Sequence, residues 1–193
     1  MFEQFDGYLR TQGYQAKGKQ IVDATLIPVA KQHNRKADTE QLEQGEIPTG
    51  WTAHPQRFEQ RDLDARWTKK HGTSYFGYKS HISIDVEYGF IRRDAVSDAS
   101  VHDSQVLGQP LDDENDTDAL WADSAYRSET IEAVLELLQF QSHIHERPYR
   151  HRPLTEQQQA DHRERSSVRA QVEHVFGYWI MAMGAVNLCA RLG

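Results

Sequence analysis

Ten consecutive residues, Gln20 to Val29 (QIVDATLIPV), constrain the fold more than any other stretch of the chain. They are dense in β-branched and apolar side chains and bounded by Gly18 and Pro28, a pattern that predicts a strand buried on both faces. Such a strand requires a sheet with cover on either side. It also sets Asp23 where a carboxylate loses its hydration, so this acid needs backbone donors, a counter-charge or a metal ion.

A second long signal lies at Ser166 to Gly177, SSVRAQVEHVFG. Val168, Val172, Val175, Phe176 and Trp179 follow the i, i+4, i+7, i+8, i+11 spacing of a helix with one core-facing stripe. Glu173 sits at the border of that stripe, and Arg169 lies four residues earlier on the same side. The two can form an intrahelical ion pair, or hold one phosphate between a cation and a metal-bound carboxylate. Thr155 and Gln158, after Pro153, read as a capping box that opens this helix.

Between these signals the chain alternates in character. Ala30 to Asp64 is polar, broken by Gly45, Pro48, Gly50 and Pro55, and reads as a long mobile insertion. Trp67 to Gly77 is basic and aromatic, a strand start or phosphate-contacting edge, with Lys79 and His81 just after it. Ile82, Ile84 and Val86 alternate with His81, Ser83 and Asp85, and Tyr88-Gly89 then turns the chain into FIRRDAVSD, which predicts a hairpin. Asp98, His102 and Asp103 sit among serines, where capping competes with metal ligation and is the commoner outcome. Asp112 to Asp118 reads as an acidic loop. Ala119 to Ala122 is a short buried strand, and Asp123 stands at its C-terminal end, where open α/β sheets carry functional groups. Ser128 caps a helix patterned on Ile131, Val134, Leu135 and Leu138, and Phe140 to His145 reads as one more strand. Met1 to Lys19 predicts a short helix or cap, and Met181 to Gly193 has no pattern.

A length of 193 residues suits a single domain over 1–193, interrupted only by the insertion at about 30–64. No apolar run approaches the roughly 20 residues needed to cross a bilayer, and the N-terminus lacks the basic start and apolar core of a signal peptide, so a cytoplasmic protein with no membrane partner is expected. Cys189 is the single cysteine, which excludes an internal disulfide and a Cys-based zinc site. The net charge of −7 argues against coating nucleic acid by bulk charge. Its distribution is uneven: Asp94 to Asp123 holds nine acids and no Lys or Arg, while Arg66 to Arg93 and Arg147 to Arg169 each hold six basic residues. Acid flanked by base fits a metal site beside a phosphate track, or simply solvated faces.

The order strand, insertion, hairpin, short helix, strand, helix, strand, long helix is that of a ribonuclease-H-like α/β domain, a mixed sheet with helices on both faces. In that arrangement the first strand and the ALWA strand run side by side, roughly 4.8 Å apart. Asp23 and Asp123 then meet, and the last helix brings Glu173 across them to complete a set of hard oxygen ligands.

At the segments IVDATLIPV, DARWTKKHGTSYFGYKSHISID, DAVSDASVHDSQ, WADSAYRS, SHIHERPYRHRPL and RAQVEHVFG the chain resembles the DDE transposases of bacterial and archaeal insertion sequences, in the insertion-sequence-five branch with an IS4-like transposase DDE domain. The resemblance implies Asp23, Asp123 and Glu173 as catalytic, metal-holding acids, with Mg2+ as cofactor and Mn2+ as substitute. It implies cleavage and strand transfer of DNA at element ends, with terminal repeats and target DNA as partners and a homodimer in a synaptic complex. Arg169, Lys79, Arg150 and Arg152 would track the DNA backbone. In the related Tyr-x2-Arg-x3-Glu-x6-Lys signature the Tyr place is Ser166 and the Lys place Ile180, so this chain departs from the signature at those two phosphate contacts. Only 22 residues precede Asp23, so a truncated copy or isolated catalytic core is expected. Two other readings use the same residues: a ribonuclease-H-like nuclease without strand transfer, and a degenerate remnant that binds DNA or a full-length transposase without catalysis.

Overall fold

The structure is a computed structural model, and it describes residues 2–14, 16–48, 50–112, 117–146 and 155–181. Its centre is a mixed six-stranded sheet. Strands β1 (Gln20–Pro28), β2 (Arg66–Lys70), β3 (Thr73–Asp85), β4 (Ile91–Asp98), β5 (Ala119–Ala122) and β6 (Gln141–Ser142) are joined by helices α1 (Phe2–Thr11), α2 (Lys36–Glu43), α3 (Pro55–Glu59), α4 (Glu129–Leu137) and α5 (Glu156–Met181). The long β3 is the spine. One of its edges pairs antiparallel with β1, from Gln20↔Asp85 to Pro28↔Gly77. Its other edge takes β2 over the first residues and β4 over the rest. Beyond β1 the sheet turns parallel, first to β5 and then to β6.

Alternation along β1 and β5 sends neighbouring residues to opposite faces. Ile21, Ile82, Ile84, Ala119 and Trp121 pack against Val172 and Phe176 of α5, with Val168, Val175 and Trp179 partly buried beside them. Val22, Leu120 and Ala122 pack on the other face against Tyr126, Ile144 and the α4 residues Ile131 and Leu135. The fold is therefore the expected mixed α/β sheet with helices on both faces.

Several local expectations hold in atomic detail. Ser128 Oγ accepts from the Ile131 N–H at 3.2 Å and starts α4. At the head of α5, Thr155 N–H donates to Gln158 Oε1 at 2.9 Å and Gln158 N–H donates to Thr155 Oγ1 at 3.2 Å, a reciprocal capping box.

Other features differ. The β2–β3 hairpin lies ahead of the one anticipated at Gly89, and its two-residue turn, His71 and Gly72, has positive φ at both positions (49° and 83°). That is the primed turn whose twist matches paired strands. Residues 30–64 carry α2 and α3, and this segment is tied to the sheet, where the Tyr78 hydroxyl donates to Asp62 and Arg66 donates to the Leu42 carbonyl; within it Arg61 lies 4.0 Å from the centre of the Trp51 ring. Helices of eight and five residues leave too little periodicity to read in a sequence. Both faces of β3 are buried from Ser80 to Asp85, so His81, Ser83 and Asp85 lie inside. Asp112, read as the start of an acidic loop, is buried in an ion pair with Arg92 at 2.6 Å and a second with Arg93 at 3.2 Å. The last strand is two residues long, although His143 and His145 N–H groups continue to donate to the Leu120 and Ala122 carbonyls of β5.

Candidate active site

The parallel pairing of β1 with β5 runs Gln20↔Leu120, Ile21↔Trp121, Val22↔Ala122, so the next residues in register are Asp23 and Asp123. Period-2 alternation puts both on the α5 face, with Ile21 and Trp121. β5 stops at Ala122 because Asp123 turns the chain: its carboxylate accepts from the Ser124 N–H and caps the short 3-10 turn Ser124–Tyr126. Asp23 stays within its strand and accepts from the Ala24 N–H at 2.8 Å.

Arg169 joins the two acids. Its Nη2 lies 2.9 Å from Asp23 Oδ2 and its Nη1 lies 3.9 Å from Asp123 Oδ1. The side chains of Asp23 and Arg169 are 15% and 14% exposed, whereas that of Asp123 is 46% exposed, so the site is closed at β1 and open at β5. Burial pushes the Asp23 carboxyl up from its ordinary value, and Arg169 and the Ala24 N–H pull in the other direction without cancelling it. Arg169 Nε is buried without a hydrogen-bond partner among the described residues. The anticipated pairing of Arg169 with Glu173 does not form: the path of α5 over the sheet offers the guanidinium a drier and nearer carboxylate at Asp23.

Glu173 follows one turn later on α5, is exposed, and makes no hydrogen bond or ion pair among the described residues. Among those residues no three His, Cys, Asp or Glu side chains stand close enough together to hold a metal ion. Two aspartates do turn oxygens toward one cation, the guanidinium, so the seat is built for positive charge. Carboxylate oxygens are the donors that a hard divalent ion prefers. The residues present fit such an ion in donor chemistry, with Arg169 now supplying the cationic charge.

The other candidates separate. Lys79 Nζ lies 2.8 Å from Asp103 Oδ1 and donates to the Val101 carbonyl at 2.6 Å, and its side chain is 15% exposed. These two contacts commit its ammonium to the Asp103 turn rather than to a DNA backbone. Arg150 and Arg152 lie outside the described residues. Asp98 and His102 cap turns, through Ser100 and Ser104.

Tertiary structure adds residues that no sequence pattern singled out. Tyr126 is fully buried, and burial together with Asp103, Asp23 and Asp123 raises its hydroxyl pKa. His81 reaches Ser97 Oγ at 2.9 Å through Nε2, and burial lowers its pKa. His145 is 4% exposed and stands edge-on to His162 with ring centroids 4.3 Å apart. Its pKa is pushed down to about 4, first by burial and then by the positive surroundings of His162, Arg169 and Arg165. The one available signal was the Arg165/Arg169 spacing, which puts two guanidiniums on one helix face.

Comparison with known proteins shows a family and a relative. A family model described as a transposase DDE domain matches residues 15–191. The chain is also 35% identical over 157 residues to the transposase for insertion sequence element IS1106 of Neisseria meningitidis serogroup B, covering 81% of this chain and 52% of that relative. It thus spans about half the length of the curated relative it matches. No solved structure matches.

Proposed function

Because the chain belongs to the transposase DDE domain family, we propose that it is the catalytic part of an insertion-element transposase, with Asp23, Asp123 and Glu173 as its metal-holding acids. The observation that carries this reading is the convergence of Asp23 and Asp123, 100 residues apart in sequence, on the single guanidinium of Arg169. A divalent ion held by these carboxylates, Mg2+ with Mn2+ as substitute, would lower the pKa of an attacking water or DNA 3′-hydroxyl and stabilise the leaving oxygen.

The chain's own residues have separable tasks. Asp23 is rigid, set in a central strand and fixed by the Ala24 N–H, and it orients the site. Asp123 is open to solvent and faces the side from which a phosphodiester arrives. Glu173, one turn beyond Arg169, closes the set when α5 or its side chain moves inward. Arg169 balances the aspartates in the free protein and, once they hold another cation, turns to the phosphate, where its planar fork suits two oxygens. The partners are DNA, as element ends and target duplex, with two copies of the chain in a synaptic complex.

Two measurements test this reading. Mn2+ binding followed by electron paramagnetic resonance should show a site that D23N and D123N abolish and E173Q weakens, and nicking of a terminal-repeat duplex in Mg2+ should fall at least about 100-fold in each variant. An unchanged Mn2+ site in D23N rules out the assignment. DNA binding that persists with no Mn2+ site and no nicking identifies a non-catalytic remnant, and nicking without joining of a 3′-hydroxyl end to a target identifies a nuclease.

A further inference from the structure

A second group of side chains lies beside Asp123, at the C-terminal ends of β5 and β6. Arg127 Nη1 and Arg165 Nη1 both donate to the carbonyl oxygen of Ile144, each at 3.0 Å. Two nitrogens at that distance from one oxygen are no more than about 6 Å apart, well inside the Debye length at physiological salt. A carbonyl dipole cannot neutralise two guanidiniums. Among the described residues Arg165 has no carboxylate within 4.0 Å, and the one carboxylate near Arg127 is Glu132 at 3.9 Å, which also accepts from Ser142 Oγ. Each guanidinium has five N–H donors and spends one on Ile144, so donors remain. Next along the chain, His145 is buried with its Nε2 unpartnered among the described residues. Arg165 precedes Arg169 by one turn of α5, a rise of about 6 Å, and Arg127 ends the turn that Asp123 begins.

We infer that Arg127 and Arg165 form a phosphate subsite beside Asp123, which takes the DNA phosphodiester next to the one held at the paired aspartates. This rests on the function proposed above and gives it a substrate-positioning surface. Excess positive charge pinned at one carbonyl is electrostatically unfavourable in the free protein and becomes favourable when the two anionic oxygens of a phosphodiester lie across both forks.

The competing account is a structural clamp, two arginines that merely tie α5 and the Asp123 turn to the end of β6. Salt dependence separates the two accounts. Binding of a fluorescein-labelled duplex is followed by anisotropy between about 50 and 200 mM NaCl in EDTA, for the full chain and for R127Q, R165Q, R127Q/R165Q, R127K and R165K. Each phosphate contact contributes a slope of about 0.9 in log K against log salt. Each Gln variant should therefore lower the slope, and R127Q/R165Q should lower it by about 0.9, while all remain folded by circular dichroism and each Lys variant keeps the parental slope. Gln variants with the parental slope overturn the subsite and leave the DNA reading intact. A second probe, inorganic phosphate, should shift the side-chain Nε–H resonances of Arg127 and Arg165 where chloride at equal ionic strength does not. Phosphate shifts in a chain that binds no duplex would support the anion subsite and remove the DNA function instead.

Discussion

Replacing Arg169 by Gln should reveal how far the paired aspartates depend on their built-in cation. The 2.9 Å contact to Asp23 joins side chains that are each about one-seventh exposed, and removing one partner of a buried pair typically costs about 3–5 kcal/mol. Asp23 can escape part of that cost by taking up a proton. From an unfolded value of 3.8, protonation at pH 7 costs at most about 4 kcal/mol. The variant should thus lose about 2–4 kcal/mol at pH 7. The folded pKa of Asp23 already lies above its unfolded value, since burial outweighs Arg169, and without Arg169 it rises further. Above 3.8 the folded variant then holds a proton that the unfolded chain has lost, so its stability falls as pH rises through that window. Urea unfolding at pH 4, 5, 6 and 7 should show a gap between parent and variant that is under about 1 kcal/mol at pH 4 and widens toward neutrality. D23N/R169Q should recover most of the loss, because the amide needs no counter-charge, and millimolar Mg2+ should stabilise R169Q more than the parent. A gap of constant size across pH, or none, would refute the claim that Arg169 acts through the charge of Asp23.

Gly77 holds φ at 151°, and a Cβ there would sit well inside contact with the Ile27 carbonyl oxygen, so G77A should cost at least about 2 kcal/mol in chemical denaturation and loosen the C-terminal half of β1. R92M should cost about 3–5 kcal/mol, because it removes the guanidinium that lies 2.6 Å from the buried carboxylate of Asp112; R92M/D112N should be markedly less damaging. His145 titrates near 4 in the folded state against 6.5 for the ordinary group, so it contributes stability that is present above pH 6.5 and is lost as pH falls toward 4. H145Q should flatten that part of the acid-unfolding profile, and an unchanged profile would show that other groups dominate it.

The elements legible in the sequence are those whose signal is local. A β-branched run from Gln20 predicts β1, the stripe Val168, Val172, Val175, Phe176, Trp179 predicts the buried face of α5, and Ser128 and the Thr155/Gln158 pair predict two helix starts that form as expected. The meeting of Asp23 and Asp123 was also readable, because element order implies that β1 and β5 are neighbours and each acid stands at a marked place on its strand. By contrast, α2 and α3 were hidden because neither is long enough to repeat. The hairpin expected at Tyr88-Gly89 forms as the β3–β4 pair, and the His71-Gly72 turn before it carries the same kind of signal, a glycine between two strand-like runs. What only tertiary structure decided was where the long charged side chains point. Arg169 chose Asp23 over its helical neighbour Glu173, Lys79 turned inward to Asp103, Asp112 was drawn under Arg92, and Arg127 and Arg165 met at Ile144 from segments far apart in the chain. Backbone preference and burial periodicity act over a few residues and leave a trace in the sequence. The partner of a flexible cation is set by how helices cross the sheet and by which carboxylate is driest within reach, and that is a property of the packed molecule alone.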